Sequence, residues 1–532
     1  NKTMKKILYI TMVFTGLIFI TSSCIKNMEM KPIDPDIITA DKAFEDPEAY
    51  TQFLAKCYAG LAVSGQQGPA GQGDISGIDE GFGQYLRGYW YHQELTTDEA
   101  VIGWDDATIK DFHYQQWGDG DGFIAAFYYR IFYQISLTNE FLRQTTDDKL
   151  DTRGTSQDWK DKVKVYRAEA RWLRALSYWH ALDLFGSVPF AVETDPIGDF
   201  FPSQVSSNEL FAWLIEELES MEADMSEPRA NEYGRADKAG AWMLLAKLYL
   251  NAEFYIGEAK YTECLTNCSK LINAGYSLSP TFQQLFWANN DMDPQTMQEI
   301  IFPIRYSGEH TQTWGGTTFI IHAAVGGDMD PATYGIDGGW GGTRTTKQFV
   351  EKFQGSDSRA MFWSEGHSIE IDNMGDFYNG YAVTKFRNTY EENGELKTGF
   401  SLTFPDTDFP MFRLADVYLM YAEALLRGGS GGDMGTASTF INELRTRTNS
   451  GVVNAGDIDL EFILDERARE LYWECHRRTD LVRYNQFTGD QYLWAWKGNT
   501  KDGRSTDSKY NQFPLPASDV NANPNLVQNP NY

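Results

Sequence analysis

The sequence predicts a mainly α-helical fold that combines a scaffold of paired helices with a large irregular portion and a few short strands. Three observations support this prediction. Apolar residues recur at helical spacing in many segments, and two such segments are each followed by a break and a second helical segment. Two long stretches rich in Gly, Asn, Asp, Trp and Tyr sustain no such periodicity. The helical pairs predict the scaffold, and the two stretches predict the irregular portion.

Two helical pairs define the expected scaffold. In residues 242–250 the apolar side chains fall at i, i+3, i+4, i+7 and i+8, which is one face of an amphipathic helix, and residues 414–425 repeat this spacing. A second helical segment follows each of them, at residues 258–274 and 435–448. Such pairs cannot bury their apolar faces alone and normally stack, as in tetratricopeptide-type solenoids. We therefore expect divergent helical repeats.

Five more helices and two short strands are predicted along the chain. The predicted helices cover residues 41–63, 123–144, 159–185, 207–221 and 464–483. The predicted strands cover residues 299–306 and 382–386. The last of these helices carries apolar residues at helical spacing as far as Cys475, so one continuous helix is expected there.

The beginning of the chain has the pattern of a bacterial lipoprotein signal. An apolar run over residues 7–20 follows two lysines, and small residues separate it from Cys24. The run is too short to span a bilayer but has the length of a signal-peptide core. We expect residues 1–23 to be removed, Cys24 to carry a lipid and residues 24–40 to form a tether to a membrane. A soluble secreted protein cleaved elsewhere is the alternative.

Residues 41–532 are expected to form one domain in which scaffold and irregular portion alternate. The scaffold is assigned to about 41–63, 123–276 and 408–487, and the irregular portion to about 64–122 and 277–405. Long segments without helical periodicity are usually functional, because binding residues are often carried by loops on a rigid framework. The irregular portion is therefore the expected binding region.

Composition narrows the class of ligand. The net charge is -29, and removal of the three lysines of the signal sequence would bring it to -32, which argues against a nucleic-acid partner and disfavours polyanions. Five cysteines form no disulfide framework for a chain of 532 residues. Cys57, Cys264, Cys268 and Cys475 are expected to be ordinary buried thiols, and neither a metal nor a cofactor is predicted.

Several separated motifs resemble the SusD/RagB family. These are RAEARWLRA, LFGSVPF, LDERAREL, FPLP and NPNY, at residues 167–175, 184–190, 464–471, 513–516 and 529–532. They occur in the order of the family and extend over nearly the whole mature chain. The resemblance implies a SusD-like fold with a tetratricopeptide-like scaffold.

The resemblance also implies a function. Members are lipid-anchored, cell-surface proteins of the outer membrane of Bacteroidetes-type bacteria. They bind oligosaccharides or polysaccharides and deliver them to a SusC-like TonB-dependent transporter, over which they lie as a lid. They act in nutrient uptake and are not enzymes, so neither a catalytic residue nor a cofactor is implied.

The arginines of the first motif have two interpretations. Arg167, Arg171 and Arg174 stand at i, i+4 and i+7 and form one basic stripe on a helix that is otherwise nearly all apolar. Phosphate binding is one interpretation. The favoured interpretation is that these arginines form ion pairs with helices such as residues 465–470, which gives the motifs a structural role.

Candidate sugar-binding residues lie in the irregular portion. A pyranose has an apolar face of C–H groups and a rim of hydroxyls, so it binds well to a flat aromatic ring with amides, carboxylates or Arg at its edge. The candidate rings are Trp104, Trp314, Tyr334 and Trp340, and the polar candidates are Asp98, Asp105 and Arg87. For each ring the alternative is a packing role.

A helical glycoside hydrolase is the competing functional hypothesis. Paired carboxylates such as Asp98 and Asp105 would then flank a scissile bond as acid and base. The other motif with catalytic form, Gly-Gly-Ser-Gly-Gly at residues 428–432, follows a predicted helix rather than a strand and is interpreted as a turn. The sequence therefore favours binding over catalysis.

Overall fold

The computed structural model describes residues 40–198 and 200–532. The predicted signal sequence, Cys24 and the tether up to residue 39 lie outside these ranges. None of the helices within them combines the length and the apolar composition that crossing a bilayer would require.

The mainly α-helical prediction is confirmed. The α-helices of the described residues are α1 Ala40–Ala43, α2 Glu48–Ala62, α3 Tyr85–Gln93, α4 Ile109–Tyr114, α5 Gly122–Gln144, α6 Asp147–Thr152, α7 Gln157–Phe185, α8 Ser207–Met221, α9 Lys238–Leu250, α10 Ala252–Ile256, α11 Tyr261–Ile272, α12 Pro294–Met297, α13 Gly316–Ala324, α14 Lys347–Val350, α15 Leu414–Leu426, α16 Met434–Arg447, α17 Leu460–Leu471, α18 Arg477–Arg483 and α19 Ala517–Ala522.

The strands are short and form antiparallel pairs. They are β1 Val101–Ile102, β2 Val188–Pro189, β3 Gln204–Val205, β4 Ile300–Ile304, β5 Thr343–Arg344, β6 Phe362–Trp363, β7 Ala382–Val383, β8 Thr389–Glu392, β9 Glu395–Thr398 and β10 Phe409–Arg413. The pairs are β1 with β5, β2 with β3, β4 with β10, β6 with β7 and β8 with β9. Both predicted strands are present, as β4 and β7.

The predicted helical pairs stack as expected. Helix α9 packs against α11, α15 packs against α16, and α11 packs against α15, so the two pairs form one continuous stack. A second group consists of α5, α7 and α8, in which α7 packs against both neighbours. The apolar faces that no single pair could bury are therefore covered by neighbouring pairs.

The basic stripe of α7 forms ion pairs, although with other partners than the sequence suggested. Arg171 donates from Nε and Nη2 to the two carboxylate oxygens of Glu217 on α8, at 3.0 and 2.7 Å. Arg174 pairs with Glu217 and Glu193. Arg167 donates to the carbonyl oxygen of Leu142 at the end of α5. The stripe thus joins α7 to α5 and α8.

The predicted continuous helix over residues 464–483 is wrong, because α17 ends at Leu471 and α18 begins at Arg477. Trp473 and Cys475 have φ angles of 62° and 66°, in the left-handed region, which ends a helix. Two buried carboxylates stabilise this turn: Glu99 accepts from the Trp473 amide at 3.0 Å, and Glu94 accepts from the Cys475 amide. Distant residues therefore override the local helical pattern.

The portion predicted to be irregular contains five α-helices that periodicity did not reveal, of which α3 and α13 are the longest. In α3 and α13 all nine residues of each helix are buried, so neither shows an apolar face opposite a polar one. Helix α3 packs against α2, α5, α13 and α18. It thereby connects the scaffold helices α2, α5 and α18 to α13, which lies in the portion predicted to be irregular.

The four cysteines in the described residues are free and buried, as expected. Burial raises the pKa of the Cys57 thiol to about 12, against a smaller opposing effect of Lys56. The sulfur atoms of Cys264 and Cys268 lie 4.0 Å apart on α11. These thiols are part of the core.

Candidate ligand-binding site

Three of the predicted binding residues form one cluster at the surface. The ring centroids of Trp104 and Trp340 are 6.2 Å apart with an interplanar angle of 47°, and those of Trp314 and Trp340 are 6.1 Å apart with an angle of 52°. Phe404 continues the row at 5.0 Å from Trp314. All four side chains are partly exposed. We call Trp104, Trp340, Trp314 and Phe404 the aromatic arc.

A short strand pair brings the two ends of the binding region together. Strand β1 pairs with β5, and directly after β1 the amide of Gly103 donates to the carbonyl oxygen of Gly342 at 2.9 Å. Trp104 follows at once, and its indole Nε1 lies 3.4 Å from the carbonyl oxygen of Trp340. Residues more than 230 positions apart in the chain are thereby placed side by side.

The loop that carries Trp340 is held against α13. Trp340 donates its amide to the His322 carbonyl at 2.7 Å, and Gly342 donates to the carbonyl of Ala323 at 2.8 Å. A Cβ atom at Gly342 would overlap the indole of Trp104, so only glycine permits this contact. On its inner face the Trp340 ring stacks on the imidazole of His322, with centroids 4.9 Å apart and planes 26° apart.

Trp314 is fixed through its backbone. Its amide donates to Oε2 of Glu80 at 3.2 Å, and its carbonyl oxygen accepts from Nη1 of Arg87 at 2.9 Å. The Arg87 guanidinium lies over the rings of Phe82 and Phe319, at 4.1 and 4.5 Å from their centroids. Because these contacts involve only the main chain of Trp314, its indole is left available at the surface.

Two predicted ligand contacts and one predicted ring are contradicted by burial. Arg87 is 4% exposed and Asp98 is fully buried. Asp98 accepts from Arg477 at 2.7 and 2.9 Å and from the Tyr492 hydroxyl at 2.7 Å, so neither carboxylate oxygen is available to a sugar. The Tyr334 ring is 3% exposed and lies under the Arg387 guanidinium, so it offers no face to a ligand. Of the three, Arg87 supports the arc from inside, through its hydrogen bond to the Trp314 carbonyl oxygen.

Asp105 remains at the rim of the arc. Its side chain is 88% exposed and pairs with Lys110. Asp106, next to it, is also exposed. These carboxylates are placed where they can accept hydrogen bonds from hydroxyl groups of a bound sugar.

The acid and base required by the hydrolase hypothesis are not brought together by Asp98 and Asp105. Burial alone would raise the pKa of Asp98, but the Arg477 guanidinium outweighs it and holds that pKa below its ordinary value. Asp98 is therefore a buried anion in an ion pair, whereas Asp105 faces solvent. A pair of carboxylates flanking a glycosidic bond needs both groups in contact with the substrate.

Phe404 was missed from the sequence, which offers no local signal that separates it from other phenylalanines of the irregular portion. The arc also differs from the clefts of the surface. A cleft of about 320 Å³ between α2 and residues 232–235 is lined by apolar and aromatic side chains, none of which belongs to the arc. The four rings of the arc are partly exposed and lie in a row, which suits contact with one face of a sugar chain.

Comparisons with known proteins identify the family. The SusD family model matches residues 357–532. The starch-binding protein SusD of Bacteroides thetaiotaomicron is 34% identical over 96% of both chains. SusD-like protein P2 of Formosa agariphila is 24% identical and covers 82% of this chain and 87% of its own length. The sequence similarity thus extends far beyond the segment that the family model matches.

Solved structures share the fold. A SusD superfamily protein from Bacteroides thetaiotaomicron superimposes with a TM-score of 0.68 at 19% identity, covering 91% of this chain and 99% of the other. Surface glycan-binding protein A of the same organism, in complex with laminarihexaose, gives a TM-score of 0.66 at 18% identity with the same coverage. From the fold and from the 34% identity over nearly the whole chain, we conclude that this protein belongs to the SusD family.

Proposed function

We propose that this protein binds glycans on the aromatic arc and captures them without cleaving them. The observation that carries the proposal is the grouping of Trp104, Trp340 and Trp314, three partly exposed indoles with neighbouring centroids about 6 Å apart. The relative with 34% identity is named as a starch-binding protein, so a starch-type glucan is the first candidate ligand.

The orientation of the rings supports a curved ligand. Successive planes are tilted by 47° and 52°, so a sugar chain that stacks on all three indoles has to bend along its length. Starch chains wind helically and present such a curved face. Apolar stacking would supply most of the affinity, and the carboxylates of Asp105 and Asp106 would contact hydroxyl groups at the edge.

Binding without catalysis is supported by the state of the candidate carboxylates. Asp98 is occupied by Arg477 and Tyr492, so the exposed Asp105 has no acid or base partner in it. Relatives in the family are named as binding proteins. Both observations support capture of sugars over hydrolysis.

The family and the lipoprotein-like pattern of residues 7–24 support a proposed partner and location. A lipid on Cys24 would hold the protein at the outer membrane, with the cell surface as its working side. A SusC-like TonB-dependent transporter would receive the captured glycan. Co-purification of the native lipoprotein with such a transporter tests this part, and a protein recovered in the soluble fraction without lipid would contradict it.

The central test measures glycan affinity of the protein without its predicted signal peptide. Trp340→Ala should weaken binding of a starch oligosaccharide about 10-fold to 100-fold. The reason is that covering the exposed indole face with a sugar ring contributes roughly 1.5–3 kcal/mol. The matched control is Trp242→Ala, a partly exposed tryptophan of α9 outside the arc. It should leave the affinity unchanged.

Titration calorimetry with maltoheptaose and with laminarihexaose compares the two candidate glucans. Unaltered affinity in Trp340→Ala, with the fold intact by circular dichroism, would contradict the arc as the binding site. Shorter sugars released during prolonged incubation with purified protein would contradict binding without cleavage.

A further inference from the structure

The imidazole of His322 lies between two loops, one of which carries Trp340 and the other Phe404. Its Nδ1 is 2.6 Å from the carbonyl oxygen of Gly338, and its Nε2 is 3.0 Å from the carbonyl oxygen of Thr403. Gly338 precedes Trp340 by two residues, and Thr403 directly precedes Phe404. The ring also stacks under Trp340 and is 1% exposed. One side chain therefore contacts both the loop that carries Trp340 and the loop that carries Phe404.

The number of protons on this ring decides how many of the two contacts are hydrogen bonds. A neutral imidazole has one N–H donor and one nitrogen lone pair, and a carbonyl oxygen can only accept. The neutral ring can thus donate to Gly338 or to Thr403, while its other nitrogen faces an oxygen lone pair. The imidazolium donates to both.

Helix α3 and strand β5 pack against α13 and carry Arg87 and Arg344, which donate to the carbonyl oxygens of Trp314 and Gly342. Helix α13 carries no ionisable residue besides His322, and Asp337 is the charged residue of the loop with Gly338. Asp337 accepts a hydrogen bond from the Thr403 hydroxyl. Asp406, beyond the second loop, accepts from the amides of Gly308 and Phe400. The nearby negative charge that favours protonation is therefore that of Asp337.

Burial opposes protonation. It lowers the pKa of His322 below its ordinary value, and the Gly338 carbonyl, Asp337 and the Thr403 carbonyl offset this only in part. The free protein consequently holds a neutral ring near neutral pH. Its protonation begins below the ordinary histidine pKa of about 6.5.

We propose that His322 is a positioning residue of the arc: the neutral ring ties one of the two loops, and the imidazolium ties both. This rests on the proposed function, because a glycan that spans the arc needs Trp340 and Phe404 in place together. A bound glycan would then favour the imidazolium. By linkage, glycan binding takes up protons and the affinity rises as the pH falls through the mildly acidic range.

The test is calorimetry of maltoheptaose binding between about pH 8 and about pH 5, in buffers of different ionisation enthalpy. The unaltered protein should bind several-fold more tightly at the acidic end and take up a fraction of a proton per glycan. His322→Phe keeps a ring under Trp340 but has no donor, so it should bind more weakly, with no proton uptake and a flat profile. The matched control is His310→Phe, since the His310 side chain is 75% exposed.

Equal proton uptake in His322→Phe, or a flat profile in the unaltered protein, would overturn the proposal. A fluorescence titration without glycan separates this failure from that of the proposed function, because an imidazolium quenches an indole stacked on it. The protein could show quenching at acidic pH that His322→Phe abolishes and yet bind no glycan. That result would contradict the proposed function but would support the proton-dependent contact of His322 with the two loops. If the variant misfolds, proton uptake by the unaltered protein still decides.

Discussion

The aromatic arc and the charge network around α17 are held in place by different kinds of contact. The charge network comprises Arg359, Arg413, Arg445, Arg447, Glu299, Glu466, Glu470 and Glu474, all buried or nearly so, with guanidinium groups bonded to carboxylates. In the arc, partly exposed rings are supported by buried arginines that donate mainly to main-chain carbonyl oxygens. Ion pairs between side chains hold the charge network together, whereas hydrogen bonds to the main chain hold the arc in place.

Arg344 illustrates the second kind of support. It donates to the carbonyl oxygens of Gly342, Met374, Asp376 and Asn379, at 2.6 to 3.0 Å. Burial lowers its pKa to about 10, with Asp376 opposing, so it stays charged at neutral pH. A cation that binds carbonyl oxygens shapes a loop without using any side chain of the arc. This leaves the rings of the arc free for binding.

The largest expected effect is the loss of a central cation from the charge network. Arg413 donates to Glu474 at 2.6 and 2.8 Å, to Glu470 at 2.7 Å and to Glu299 at 3.0 Å. Arg413→Met leaves these buried carboxylates without that partner, so the free energy of unfolding should fall by about 3–5 kcal/mol. Urea unfolding measures it.

The control for this variant is Lys397→Met. Lys397 is 38% exposed at its side chain and lies 2.6 Å from Glu395, which is 72% exposed, so its removal should cost less than about 1 kcal/mol. Equal losses in the two variants would mean that burial does not distinguish the charge network from surface pairs.

A smaller effect is expected from the pH dependence of one network carboxylate. Burial would raise the pKa of Glu466, but Arg359, Arg469 and Arg445 together lower it from 4.5 to about 2. Since the folded pKa lies below the unfolded one, the stability from Glu466 is fully present above about pH 4.5 and is lost as the pH falls towards 2.

Glu466→Gln isolates this contribution. At neutral pH the variant should be roughly 2–3 kcal/mol less stable than the unaltered protein, and the difference should shrink below about pH 4.5. Urea unfolding across this range tests the sign. A difference that stays constant down to about pH 2.5 would show that the charge of Glu466 is not what stabilises the network.

The scaffold was largely predictable because apolar residues recur at helical spacing along its long helices. Residues 207–221 and 414–425 show this spacing, and the structure has helices there with nearly the same ends. Helices α3 and α13 were missed because nine residues are too few for the spacing to stand out. The break after Leu471 depends on Glu94 and Glu99, which lie more than 370 residues earlier in the chain. Local patterns cannot contain such contacts.

The candidate binding residues were predictable by type but not by exposure. Tryptophans beside glycines and aspartates suggested sugar chemistry, and Trp104, Trp314 and Trp340 do lie together at the surface. Asp98 and Tyr334 have equally suitable side chains and are buried. What separates the two groups is the pairing of β1 with β5 and the packing of α13, both of which join distant parts of the chain.

The smallest change expected to affect the arc is the addition of one methyl group at Gly342. A Cβ there would overlap the indole of Trp104, whereas a Cβ at Gly338 would meet no atom within 4 Å. Neither glycine has a positive φ, so the comparison is one of space and not of backbone strain. Gly342→Ala should displace the Trp104 ring and weaken glycan binding about 5-fold to 10-fold, which is about 1 kcal/mol.

Gly338→Ala is the matched control and should bind glycan like the unaltered protein. Calorimetry with maltoheptaose compares the two variants, and urea unfolding should show that both keep nearly all of their stability. If Gly342→Ala binds as tightly as Gly338→Ala, the ligand does not depend on the position of the Trp104 ring. The backbone support of the arc would then serve the fold alone, and the contrast between the arc and the charge network would lose its functional meaning.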